Sequence, residues 1–413
     1  MTKKRKCLGF IYNTRITAHL KNVLSNEFHH INNIASCFKE IHILNMSNFN
    51  FFNKKEKGFE KIFRKMKFNK KIKFYNPKNI KELSFFFKDK SFHAITNLGK
   101  TFSELPIYFL LKKYNVKFFE VSNVGNKNIG DLPSKKNFLK GYLNIKWRVF
   151  KHKFFILLKI FGVIPKIEIR FMSNKVWVKS SNEKQFMYNK FIRFFNISYA
   201  KKLIIINSRA YDLFNKNKFI KNEDYIVLLD EMFNNHQYLR LGTYTNKKQI
   251  KIHYKNLIEK LKIISKYYKK KVLICIHPSD NLQEKRKIFS DFEVKQHQTK
   301  RYIYQSKLVL FFESSAIIDA IMLKKKIMTI FSKALDLNQA TNNKHYVNEI
   351  YIPFLNIDEN LIFNQKTINK YKYDKMKINK TYNSYIKKYI AADNSNILGY
   401  KKFANILKKE YLL

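Results

Sequence analysis

Val272-Leu273-Ile274-Cys275-Ile276-His277-Pro278 is an unbroken apolar run delivered onto an imidazole and a proline. A short continuous run bounded by a turn residue reads as a strand buried on both faces, the pattern of a parallel sheet covered by helices. Proline lacks an N–H and cannot continue the ladder, so His277 is expected at the strand's carboxyl end. The same pattern recurs on either side. Upstream, Tyr225–Leu229 is an apolar run ending in Asp230-Glu231, and Lys248–Tyr268 is a long basic helix. Downstream come a helix over Leu282–Phe289, a strand at Phe292–Lys295, a strand Leu308–Phe312 running into Glu313-Ser314-Ser315, a helix Ala316–Leu323 and a strand Lys326–Phe331. Strands alternating with helices make βαβ units and a doubly wound sheet.

The first half carries the same alternation. Cys7–Tyr12, Glu40–Leu44, Ala94–Leu98 and Val116–Val121 read as strands, with helices over Ile16–Asn26, Ile80–Phe87 and Ser103–Lys113. Residues 130–200, rich in Lys, Phe and Asn, interrupt the rhythm and read as a helical insertion; Lys202–Asn207 resumes as a strand, with a helix through Tyr211–Asn215. The chain from about Gln365 is helical and ends in Ile397–Tyr411. The expected fold is α/β: two Rossmann-like domains facing across a cleft, with C-terminal helices. The N-terminal domain is placed at 1–200, the C-terminal domain at 201–385, and 386–413 as a helix packing back on the first domain. A length of 413 residues fits two domains rather than one core.

Composition narrows the classes further. Hydrophobic residues make up 45% of the chain, enough for substantial cores and too many for a disordered one. The formal net charge of +52 comes from 82 Lys and Arg against 30 Asp and Glu. The basic residues are mostly Lys and run along the whole chain, whereas a nucleic-acid interface concentrates charge on one face and uses Arg forks. Nucleic acid is therefore not the expected partner. An anionic inner-membrane surface, which responds to summed charge, is. Cys7, Cys37 and Cys275 each lie in apolar runs without metal or redox spacing, as in a reducing compartment. The basic start Met1–Lys6 is followed by an apolar run too short for a signal core, so a cytoplasmic protein is expected. Phe154–Pro165, interrupted by Lys159, is too short to span a bilayer. With Trp147, Arg148, Lys151 and Lys153 before it, it reads either as a helix packed on its own protein or as an amphipathic helix on a membrane.

Three polar groups then stand at the carboxyl ends of three apolar strands: Asp230, His277 and Ser314. In an open parallel sheet, ligands bind outside those ends. Ser314-Ser315 precedes an apolar helix, where a hydroxyl caps free N–H groups and the helix start also suits a phosphate; both readings stay open. His277 can donate to a phosphate oxygen or rest in the core, satisfied by a carbonyl. Asp230 or Glu231 can serve as a base on a sugar hydroxyl or as a turn cap. His236 is a weaker candidate. On the first domain, Ser122-Asn123-Val124-Gly125 and Asn97-Leu98-Gly99-Lys100 follow strands and are either acceptor-side loops or ordinary turns.

The order Asp230-Glu231, His277-Pro278, Ser314-Ser315 resembles the bacterial GT-B-fold glycosyltransferases of capsule and lipopolysaccharide synthesis, above all the sialyltransferase and polysialyltransferase type. The resemblance covers roughly Tyr225 to Phe331. Met232 stands where those enzymes have Gly, and Lys326 where they often have Pro. It implies that Asp230, with Glu231 as fallback, deprotonates the acceptor. It implies too that His277 and Pro278 meet the donor phosphate, that Ser314 and Ser315 hold it, and that transfer inverts the sugar. The donor would be a nucleotide-sugar, a CMP-activated acidic sugar first, and the acceptor a surface glycan or glycolipid. No Asp-x-Asp occurs in the sequence, so no metal or other cofactor is expected. A nucleotide-sugar 2-epimerase or polyol-phosphate transferase of the same architecture is the alternative. A non-catalytic basic protein binding membrane or nucleic acid is a third reading, which leaves the three strand-end groups unexplained.

Overall fold

The computed structural model describes residues 6–12, 31–46, 68–89, 91–96, 105–122, 154–155, 157–158, 161–173, 200–216, 224–230, 247–278, 280–312, 314–332, 346–359 and 375–411. The chain forms two compact units. The first comprises Met1–Val124, Leu143–Asp212 and Ala391–Leu413, the second Gly125–Tyr142 and Leu213–Ile390.

The first unit is built on seven strands: β1 (Lys6–Tyr12), β2 (Ile41–Asn45), β3 (Ile72–Tyr75), β4 (Ser91–Thr96), β5 (Lys117–Ser122), β6 (Ile167–Met172) and β7 (Ala200–Ile205). They lie in the order β3-β2-β1-β4-β5-β6-β7, and every neighbouring pair is parallel. Helices α1 (Ile80–Asp89) and α2 (Leu105–Lys113) pack Leu83, Phe86, Phe87, Ile107 and Leu111 onto one face, together with Phe155 and Ile164. The opposite face is covered by Ile31, Ile34 and Phe38 and by the last helix of the chain.

Two of these strands escape an apolar-run criterion for a physical reason. In β6 (Ile-Glu-Ile-Arg-Phe-Met), the polar positions are neutralised across the sheet rather than left in water: Arg170 Nε lies 3.2 Å from Glu120 Oε2, and Glu168 Oε1 takes Lys201 at 2.9 Å. β3 is an edge strand that buries chiefly Ile72. The region read as a helical insertion thus contains a sheet strand. Because β7 pairs with β6, the first unit runs on to Asp212 rather than stopping at residue 200. The predicted helix Ile16–Asn26 lies outside the described residues.

The second unit carries β8 (Tyr225–Leu229), β9 (Lys271–Cys275), β10 (Glu293–Lys295), β11 (Ser306–Phe311), β12 (Lys326–Phe331) and β13 (Phe354–Asn356). Their order is β10-β9-β8-β11-β12-β13, again all parallel. After α3 (Arg209–Lys216), which ends in this unit, come α4 (Lys247–Tyr268), α5 (Leu282–Ile288), α6 (Thr299–Tyr304), α7 (Ile317–Met322) and α8 (Lys375–Tyr385). On α4 the buried residues His253, Tyr254, Leu257, Lys260, Leu261 and Ile264 recur at helical spacing, and Tyr254, Leu257, Leu261 and Ile264 pack on Ile226, Leu228 and Ile274. Phe311, on the opposite face of its strand from Leu310 and Phe312, meets Tyr346 edge-on, and Tyr346 in turn meets Tyr385.

The last helix, α9 (Gly399–Tyr411), belongs to the first unit, where Tyr400, Phe403 and Leu407 enter the core. Its entry is tightly specified. Asp212 Oδ1 accepts from Gly399 N–H at 2.7 Å and Oδ2 from Tyr400 N–H at 3.1 Å, a remote carboxylate serving as N-cap. Asn207 Nδ2 donates to the carbonyls of Ser395 and Ile397 at 2.8 and 2.9 Å. A Cβ on Gly399 would stand 2.0 Å from the Asn207 carbonyl oxygen, so glycine is required for the approach.

Candidate functional site at the carboxyl rim of the second sheet

Strand order and register decide where the three polar groups meet. β9, β8 and β11 are consecutive in the sheet, and Leu229 is level with Cys275 on one side and Phe311 on the other. Asp230, His277 and Ser314 follow these residues by one, two and three positions, so the chain delivers all three to one rim at the centre of the sheet. Chain order runs outward from β8 through β9 to β10 on one side, and from β11 through β12 to β13 on the other. The reversal falls between β8 and β11, the switch point at which doubly wound folds open a crevice.

The side chains do different things there. Asp230 turns inward. It shares parity with Ile226 and Leu228, and its carboxylate is wholly inaccessible. Lys285 of α5 donates from Nζ to Asp230 Oδ2 and to the hydroxyl of Tyr254 on α4, and Asp280 Oδ2 lies 3.3 Å away. Burial alone would lower the Lys285 pKa, but Asp230, Tyr254 and Asp280 outweigh it and hold the ammonium above its ordinary value. Tyr254 is pushed up, by burial first and then by Asp230. Asp230 is thus committed to a buried ion pair that ties β8 to α4 and α5. In this arrangement it is a brace, not a carboxylate open to an acceptor. Glu231, the fallback, lies outside the described residues, as do Met232 and His236.

His277 is half-buried at the rim. Its backbone is held in a turn: Asp280 N–H donates to the His277 carbonyl at 3.0 Å, and Gln296 Nε2 reaches the carbonyls of His277, Pro278 and Asp280 at 3.4, 3.3 and 3.0 Å. One side chain, placed just past β10, therefore gathers the carbonyls of His277, Pro278 and Asp280. The turn then enters α5 through Asn281, whose side chain caps Gln283 and Glu284 at 3.0 and 3.2 Å.

Ser314 Oγ accepts from Ala316 N–H at 3.3 Å, so its hydroxyl acts in the turn ahead of α7. Ser315 is exposed. Behind them Asp319 is raised by burial, against the opposing charge of Lys300 at 3.5 Å. A groove of about 680 Å³ runs between α4 and α5, lined by Ile250, Tyr254, Ile258 and Ile288 among others, on the helix side of the Lys285 brace.

Lys285, Tyr254, Asp280 and Gln296 were not singled out from the sequence. A signal for Lys285 existed: it stands three residues after Leu282 and three before Ile288, on the apolar side of a short helix, where a lysine needs a buried partner. Ser122 ends β5, while Asn123, Gly125 and the stretch from Asn97 to Lys100 lie outside the described residues. Among the described residues no group of His, Cys, Asp and Glu is arranged to hold a metal ion, and no helix is long and apolar enough to cross a membrane.

Two parallel-sheet units, each with a central switch point, and a final helix returned to the first define an α/β chain of GT-B-like fold. Solved structures of that fold are similar over nearly the whole length. UDP-GlcNAc 2-epimerase from Neisseria meningitidis, bound to UDP-GlcNAc, matches 98% of this chain and 100% of its own at 11% identity and a TM-score of 0.52. The wall teichoic acid polymerase TagF matches 99% and 89% at 9% identity and a TM-score of 0.51. At such identities the likeness establishes the fold alone. No family model and no curated protein sequence matches the chain.

Proposed function

We propose that this protein is a glycosyltransferase that takes a sugar from a nucleotide-activated donor at the carboxyl rim of its second sheet. The observation that carries the reading is the delivery of His277 and Ser314-Ser315 to one rim beside the strand-order reversal. His277 contacts the donor phosphate and supports departure of the nucleotide, with Pro278 fixing its backbone. Ser315, with Ser314 shaping the turn, supplies hydroxyl and amide donors to the phosphate. Glu231 takes the proton from the acceptor hydroxyl, because Asp230 is held by Lys285. Attack by the acceptor oxygen on the sugar's anomeric carbon breaks the bond to phosphate and inverts that carbon. Basic side chains rather than a metal balance the leaving charge. A CMP-linked acidic sugar is the donor expected from the motif order, and a capsule or lipooligosaccharide glycan the acceptor.

A nucleotide-sugar 2-epimerase of the same architecture is the second reading, and an enzyme of that name shares the fold. Incubation with labelled CMP-sialic acid and UDP-GlcNAc, each with and without lipooligosaccharide, separates the two. Label entering the glycan from the CMP-sugar supports transfer. Acceptor-independent conversion of UDP-GlcNAc supports epimerisation and rejects the first reading.

A further inference from the structure

The outer surface of the first unit carries aromatic residues where helices of an α/β layer ordinarily carry polar ones. On α1 the buried residues are Leu83, Phe86 and Phe87, and Phe85 points the opposite way, 71% exposed. On α2 the buried residues are Ile107, Tyr108, Leu110 and Leu111, and Phe109 points outward, 46% exposed. Further along the chain in the same layer, Phe155 is buried, while Leu157 and, in a following turn, Phe161 are 38% and 74% exposed. These elements are neighbours. Ser84 Oγ of α1 lies 2.6 Å from the hydroxyl of Tyr114, the residue just after α2, and Tyr108 of α2 meets Phe155 edge-on with centroids 6.3 Å apart. Three adjacent elements on one side of one sheet therefore each present large apolar groups at their outward pole.

Single exposed apolar residues need no explanation; four in one layer do. The charge around them selects the partner. Lys81 and Lys88 flank Phe85, and Lys112 and Lys113 follow Phe109, all exposed. Of the acids whose side chains are described on α1 and α2, Glu82 is engaged at the helix start, accepting from Lys78 N–H at 2.8 Å. The arrangement is a layer of exposed apolar anchors, three of them phenylalanines, among lysines. A lipid interface takes up such apolar side chains while its anionic headgroups meet the ammonium groups around them. We infer that the outer face of α1 and α2, with Leu157 and Phe161, is the surface by which this protein docks on an anionic lipid bilayer. The inference is independent of the donor chemistry and of the second unit.

The test is co-sedimentation with vesicles of phosphatidylcholine alone and of phosphatidylcholine with phosphatidylglycerol. A chain of charge +52 adheres to anionic vesicles at low salt through any face, so the informative condition is roughly 0.5 M salt, where surface charges are screened over a few ångströms. There the wild type is expected to remain bound. Phe85→Ser/Phe109→Ser/Phe161→Ser should lose about ten-fold or more in partitioning, with an unchanged melting temperature. Met376→Ser, at an exposed apolar position of the second unit, should not. Phe85→Trp gives a readout that tolerates any folding defect of the triple variant: its fluorescence should be quenched by bromine-labelled lipid, and that of Met376→Trp should not. Equal binding of triple variant and wild type overturns the inference. So does absence of quenching at position 85, or sedimentation velocity showing that the triple substitution splits a dimer, which assigns the face to a second copy.

Discussion

Lys285 of α5 donates to the carboxylate of Asp230 at the end of β8, both side chains withdrawn from solvent. The pair joins the strand that leads into the rim to the helix that leads out of the His277 turn. The geometry of the rim therefore depends on an ion pair buried beneath it.

Removing either partner leaves the other charged in a nonpolar interior. Lys285→Met is expected to destabilise the protein by about 3–5 kcal/mol, and Asp230→Asn by a smaller amount of the same sign. The double variant Lys285→Met/Asp230→Asn should lose clearly less than the sum of the two single losses. Urea unfolding of the four proteins completes the cycle. Additive losses would mean that the two groups do not interact.

Asp230→Asn also bears on the choice of base. The brace predicts that its effect follows stability, and that Glu231→Gln lowers turnover far more at equal nucleotide affinity. Turnover abolished by Asp230→Asn in a fully stable protein would return the proton-accepting role to Asp230.

His277→Ala is expected to abolish donor turnover, by about a hundred-fold or more, without change in melting temperature. Gln296→Leu should lower turnover less, because it frees the backbone that positions His277 while keeping the imidazole itself. Comparing kcat and KM for both variants distinguishes loss of the group from loss of its position.

His253 lies buried beneath the rim, against Phe312 and Tyr254. Burial pushes it down to about 3, with Asp358 opposing and Lys285 reinforcing. The folded pKa lies below the unfolded one, so the unfolded chain takes up the proton first as pH falls. The resulting stabilisation is complete above about pH 6.5 and is lost progressively toward pH 3. It amounts to roughly 2 kcal/mol less stability at pH 5 than at neutrality. In His253→Gln the fall in urea midpoint between pH 7 and pH 5 should shrink accordingly.

Gly399→Ala forces a methyl against the Asn207 carbonyl. A loss of about 2–4 kcal/mol is expected. Asp212→Ala, which removes the cap of α9, should cost about 1–2 kcal/mol. Both should detach α9 from the first unit before the unit itself melts, visible as early hydrogen exchange over residues 399–411.

Much of the architecture was legible along the chain. Tyr225–Leu229 and Lys326–Phe331 are strands at the bounds read from their apolar runs, and Lys271–Cys275 differs by one residue. Central strands buried on both faces must be apolar throughout, so they declare themselves. β6 and β13 did not: the polar positions of β6 are matched by Glu120 and Lys201, distant in sequence, and β13 is only three residues long. β7 was read as a strand, but its membership of the first sheet depends on pairing with β6.

The succession of polar residues at strand ends, the two-unit α/β architecture and the position of His277 before its proline were determined by the sequence itself, because strand length, burial and proline geometry are local properties. Which strands lie side by side, and which way each strand-end group points, were decided only in three dimensions. Asp230 and Glu231 are adjacent and chemically alike. The lysine that commits Asp230 to the interior stands fifty-five positions further on and reaches it only when α5 folds against β8.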